Sequence, residues 1–114
     1  MAIKALKDEI EGLKRDLDLS TDALAGALKV DSRTVERWLT GASFPQREGR
    51  ERLEALMNIR NHVLETFATV EAARTWMHTS NRYLGELTPA EVAQAGRIDR
   101  IEAALAVLDS GMFV

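Results

Sequence analysis

Apolar residues recur along this chain at spacings of three and four. Ile3, Leu6, Ile10, Leu13 and Leu17 form a first stripe, with Lys, Asp and Glu on the other faces, which predicts an amphipathic helix. A stripe of this length has two uses, packing onto its own domain or pairing as a short coiled coil. A longer helix is expected from about Arg47 to Phe67, just after Pro45, with Leu53, Leu56, Ile59 or Arg60, Val63, Leu64 and Phe67 as its apolar positions. Thr69 offers a cap for a helix that buries Val70, Ala73, Trp76 and Met77. Thr88-Pro89-Ala90-Glu91 has the form of a capping box with proline in the first helical position, and its helix runs out at Gly96. Ile98, Ile101, Leu105 and Leu108 mark a last helix that Gly111 would close in a left-handed conformation. No stretch alternates with period two over β-branched residues, so the fold class is all-α.

No Pro-, Gly- or Ser-rich linker, internal repeat or low-complexity segment divides the chain. The expected organisation is an N-terminal helical bundle over residues 1–66 and a small helical subdomain over 67–114, sharing the long helix as a hinge near residue 67. The 114 residues, 46% hydrophobic and 29% charged, have globular composition. The chain lacks an apolar run long enough to span a bilayer, and MAIKALKDEIEGLKRD carries acids where a signal peptide has its apolar segment. A cytoplasmic protein without membrane contact is expected. Without cysteine there is no disulfide, thiol nucleophile or thiolate metal site. The two histidines, His62 and His78, show no carboxylate arranged around either in the sequence, so both read as surface residues and no metal or cofactor is expected.

Charge is distributed unevenly. The formal net charge is -3, yet residues 29–60 carry a net +2 against -2 before them and -3 after. Into that central third runs LSTDALAGALKVDSRTVERWLTG, residues 19–41. Ser20 can cap a helix burying Leu24, Ala25 and Leu28; Val30 plugs a tight turn; Asp31 or Ser32 caps a second helix burying Val35, Trp38 and Leu39. The outward side of that second helix is then Arg33, Thr34, Glu36 and Arg37. These side chains suit a major groove, with Arg reaching guanine or phosphate and Thr reaching phosphate or a thymine methyl.

The segment resembles the Xre-type helix-turn-helix over about twenty residues. It departs at Lys29, where that family usually has glycine in a left-handed turn and where another residue costs on the order of 1 kcal/mol. The resemblance implies that Arg33, Thr34 and Arg37 contact operator DNA. A lone module with so few basic contacts binds weakly, so specific recognition implies a dimer on two half-sites. The same unit could instead serve as a packing or dimerisation scaffold.

Residues 73–96, ARTWMHTSNRYLGELTPAEVAQAG, join a Trp-bearing helix to a turn. Trp76 and Leu84 read as core, Asn81 as a tie to loop backbone through its amide, and Gly85 as a sharp bend. The order A-x-x-W-M-x-x-x-N-x-x-L-G-x-x-x-P, then a glycine, an apolar helix and a Gly-x-Phe-Val ending, resembles the toxin-binding domain of Xre/MbcA/ParS-type antitoxins. With the helix-turn-helix ahead of it, the resemblance spans nearly the whole chain.

It implies a type II antitoxin that neutralises a RES-domain, NAD-consuming toxin. The C-terminal helix and tail would enter the toxin's cleft and exclude the dinucleotide, and the chain would autoregulate its operon by binding DNA. Carried onto this sequence, the toxin-binding residues are Arg97, Arg100, Gly111, Met112, Phe113 and Val114, in a homodimer or a hetero-oligomer with toxin. Two alternatives stay open for them: the apolar tail can fold back on its own core, and Arg97 and Arg100 can pair with Asp99 or Glu102.

Two further classes compete. One is a stand-alone helix-turn-helix transcription regulator whose C-terminal part only dimerises. The other, an enzyme, is disfavoured: the carboxylates and hydroxyls are scattered over helix caps, with neither a phosphate-binding glycine loop nor a paired histidine, and no catalytic residue is assigned.

Overall fold

In a computed structural model that describes residues 2–111, helix α1 (Ala2–Leu17) turns its stripe inward. Leu6, Ile10, Leu13 and Leu17 are buried in the chain's own core, so the intramolecular use of the stripe prevails over a coiled coil. Helices α2 (Thr21–Leu28) and α3 (Ser32–Thr40) follow, each started by a side-chain cap. Ser20 accepts from the Ala23 N–H at 3.0 Å, and Asp31 accepts from the Thr34 N–H at 2.8 Å. Each satisfies one of the donors that a helix N-terminus leaves open.

The long helix α4 (Arg47–Thr66) buries Leu53, Leu56, Ile59 and Val63 and ends at Phe67, whose backbone is extended. Arg60 is half-buried beside Ile59, and its guanidinium reaches Asp16 of α1 at 3.4 Å. Helix α5 (Val70–Met77) starts at the predicted cap, Thr69. A short 3-10 turn (Arg82–Leu84) leads to α6 (Pro89–Gln94), where both arms of the capping box form: Thr88 accepts from the Glu91 N–H at 3.0 Å, and Glu91 from the Thr88 N–H at 2.8 Å. Helix α7 (Ile98–Asp109) completes the described chain, and Gly111 beyond it has φ +84°.

No strand occurs among the described residues, and the fold is all-α. None of the described helices is long and apolar enough to cross a membrane. The buried residues of all seven helices join one hydrophobic cluster, from Leu6 in α1 to Leu105 in α7. Within it α2 packs on α6, α4 on α7, and α1 on α3, α4 and α5. The α2–α6 approach is close enough to require glycine: a Cβ on Gly26 would lie 2.0 Å from the Gln94 carbonyl oxygen.

Candidate functional site

Helix α3 presents its polar side to solvent. Val35 and Trp38 are buried, which leaves Arg33 and Arg37 exposed and Thr34 half-buried between them on one face. The Thr34 hydroxyl donates to Asp31 at 3.0 Å and so shares in the cap. Those two bonds from Thr34, the backbone one foremost, hold the Asp31 carboxyl below its usual range. The turn before α3 closes as a helix-turn-helix requires, with the Val30 N–H on the Ala25 carbonyl at 3.0 Å and Lys29 in the left-handed region at φ 60°, ψ 41°. Phe44, just past α3, is 48% exposed.

The second surface lies at the start of α7. Asn81 is buried, and its amide oxygen accepts from the Tyr83 N–H at 2.8 Å, as expected of a loop tie. Its backbone pairs with Leu87 and Glu86, which folds residues 81–87 into a tight loop. Arg97 is the N-cap residue of α7, and Arg100 reaches this loop from its first turn. Arg100 donates to the Tyr83 carbonyl at 3.2 Å and stands 6.0 Å above the Tyr83 ring. The alternative pairing of these cations with Asp99 or Glu102 is not seen among the described residues, and Glu102 contacts His62 instead. Together the arginines flank a cleft of about 150 Å³ lined by Leu84, Leu87, Val92 and Ala95.

Glu102 belongs to a contact that the sequence reading missed. His62 of α4 lies between two α7 carboxylates, with Nδ1 2.9 Å from Glu102 and Nε2 hydrogen-bonded to Asp109. Thr66 donates to the other Asp109 oxygen at 3.0 Å. The expectation of a plain surface histidine is therefore corrected. The bond to Asp109, then that to Glu102, raises the His62 pKa above its usual 6.5, and His62 lowers that of Asp109. His78 is a surface residue as read, and its Nε2–H donates to the Asp18 carbonyl at 2.7 Å, securing a turn in which Asp18 has φ +54°. Partners 40 and 47 positions away leave no local signal around His62; only the seven-residue spacing of Glu102 and Asp109, two turns on one helix face, hints at a shared contact.

Trp76, expected in the core, is half-buried and lies against Phe67 with ring centroids 5.5 Å apart. Of the sequence-derived toxin-contact residues, Arg97 and Arg100 meet at the cleft and Gly111 sits at the far end of α7. Twelve helical residues separate those ends by about 18 Å. Met112, Phe113 and Val114 lie outside the described residues.

Residues 62–111, from the last turns of α4 through α7, match the family model described as "Antitoxin Xre/MbcA/ParS C-terminal toxin-binding domain". The chain is 27% identical to the mycobacterial cidal antitoxin MbcA of Mycobacterium bovis over 114 residues, all of both chains, and equally so to that of Mycobacterium tuberculosis. Its fold is similar to a chain in the crystal structure of the M. tuberculosis MbcT-MbcA toxin-antitoxin complex, with TM-score 0.67 and 28% identity, covering 96% of this chain and 97% of that one. From the last turn of α4 to the end of α7, the chain is thus similar to the toxin-binding domain of Xre/MbcA/ParS antitoxins.

Proposed function

We propose that this protein is the antitoxin of a two-protein system, with residues 1–66 as a DNA-binding head and 67–114 as the toxin-binding part. In this reading it neutralises a RES-domain, NAD-consuming toxin by seating α7 and the tail beyond it, through Arg97, Arg100, Gly111, Met112, Phe113 and Val114, in the dinucleotide cleft. It also represses its own operon through Arg33, Thr34 and Arg37. The observation that carries the reading is the end-to-end likeness to MbcA, with the toxin-binding match falling on the segment that holds α7. Occlusion requires no chemistry from the antitoxin, which agrees with a site made of arginines and apolar side chains. The exposed basic face of α3 supports the DNA half, and its small charge calls for a dimer or a toxin-bridged oligomer on paired half-sites.

The test is deletion of residues 112–114, with toxin NAD consumption and operator binding measured side by side. The expected result is restored NAD consumption, with unchanged operator affinity and melting temperature. Undiminished neutralisation would move the blocking surface off the tail. Purification of the N-terminally tagged chain without any stoichiometric NAD-consuming partner would favour the stand-alone regulator.

A further inference from the structure

Beside Arg97 and Arg100 lies an apolar hollow that the seating of α7 and the tail in the toxin does not use. Its floor is the buried Leu84 and Val92, and its rim is the exposed Ala95 and Leu87, the latter 47% exposed, with the two arginines. No acidic side chain lines it. A volume of about 150 Å³ accommodates one benzene-sized group. Guanidinium groups prefer carboxylates, which they hold by paired charge-assisted bonds.

We propose that this cleft is an anchor site that receives one aromatic or leucine side chain, flanked by an acidic residue, from a segment of the toxin. The apolar side chain fills the cleft, and its neighbouring carboxylate lies on Arg97, with Arg100 held in place by the Tyr83 carbonyl. The assignment of the occupant rests on the antitoxin reading above, because the cleft lies wholly inside the toxin-binding match. The contact runs opposite to the tail, with the toxin inserting into the antitoxin about 18 Å from the point where the tail leaves α7.

Phenylacetate, a single ring bearing a carboxylate, is the probe. Titrated into the isotope-labelled full chain, it produces saturable shifts of the Leu84, Leu87, Val92 and Ala95 methyl signals. 2-Phenylethanol, a neutral alcohol of nearly the same size, binds about tenfold more weakly, as does phenylacetate to Arg97→Gln. Ala95→Leu, at an exposed position on the cleft wall, fills the cleft and abolishes the shifts. Shifts that scatter over the surface, or equal binding of the acid and the alcohol, overturn the site.

For the occupant, Ala95→Leu and Arg97→Gln each weaken toxin binding about tenfold while operator binding is unchanged. Unchanged toxin affinity in Ala95→Leu, with the tail deletion still abolishing neutralisation, overturns this proposal and leaves the antitoxin reading standing. Absence of toxin binding by the unmodified chain removes both. Self-association that Ala95→Leu abolishes would identify a second copy as the occupant, and also overturns the proposal.

Discussion

Lys29 stands in the turn between α2 and α3 in the left-handed region that favours glycine, φ 60° and ψ 41°. The backbone strain of a side-chain-bearing residue there is on the order of 1 kcal/mol. Part of it is offset by packing, since the Lys29 stem lies over the end of α6: its Cε is 3.2 Å from the place a Cβ on Gly96 would occupy. A short stretch of aliphatic stem on a half-exposed surface recovers only a fraction of that strain. Lys29→Gly is therefore expected to stabilise the fold by up to about 1 kcal/mol, a rise of a few degrees in melting temperature. A fall on thermal denaturation would show that the stem's packing on α6 outweighs the strain.

Helix α7 is held to α4 by apolar packing and by the contact of His62 with Glu102 and Asp109. The imidazole can donate to both carboxylates only when protonated at both nitrogens. Those two α7 carboxylates are the charged groups that act on it; Asp109 is braced by Thr66, and Arg100 turns away to the Tyr83 carbonyl. Since the folded His62 pKa is raised above 6.5, its contribution is complete below pH 6.5 and is lost as pH rises through the folded value. Asp109, lowered from 3.8, contributes above that pH and loses its contribution as pH falls through its lowered value. The C-terminal end of α7 is thus held best between about pH 4 and 6.5. Amide exchange at Val107, Leu108 and Asp109, corrected for its intrinsic pH dependence, is expected to lose protection above that window, and His62→Gln to remove the dependence. Protection that stays flat in the unmodified chain would refute this.

The helices themselves were legible because each rests on local chemistry. The stripe of α1, the caps Ser20, Asp31, Thr69 and Thr88, and the left-handed Gly111 all signal within four residues. The exposed face of α3 followed by subtraction once Val35 and Trp38 were placed in the core. The cleft did not follow, because Leu84, Leu87 and Val92 read as ordinary apolar positions and only tertiary packing leaves a hollow among them beside Arg97. His62 was misread for the same reason, since its partners belong to another helix.

At the scale of the whole molecule, the helix-turn-helix and the toxin-binding match are joined where α2 crosses α6, and Gly26 sets the distance. An added methyl there would meet the Gln94 carbonyl oxygen at 2.0 Å, its carbon at 2.7 Å and its Cα at 2.9 Å. All three are backbone atoms, so no rotamer change relieves the overlap, and either α2 or α6 must move. Since α6 leads directly into α7, displacement there reaches the cleft and the Arg97–Arg100 edge.

Gly12 provides the matched control. It also lies in a helix, but a Cβ there would meet only the far ends of Arg60, at 3.3 Å, and Arg15, at 3.6 Å, which can swing aside. Helix propensity alone favours alanine over glycine by about 1 kcal/mol at both positions. The two substitutions are therefore expected to differ in sign. Gly12→Ala should be neutral or stabilising by up to about 1 kcal/mol, whereas Gly26→Ala should destabilise by roughly 1–3 kcal/mol as overpacking overrides propensity. Chemical denaturation of the two variants measures this directly. In Gly26→Ala the α6 and α7 amides should exchange faster than those of α3, because the seam opens while α3 keeps its packing on α1. Equal stability of the two variants would mean that the halves are not held together at this crossing.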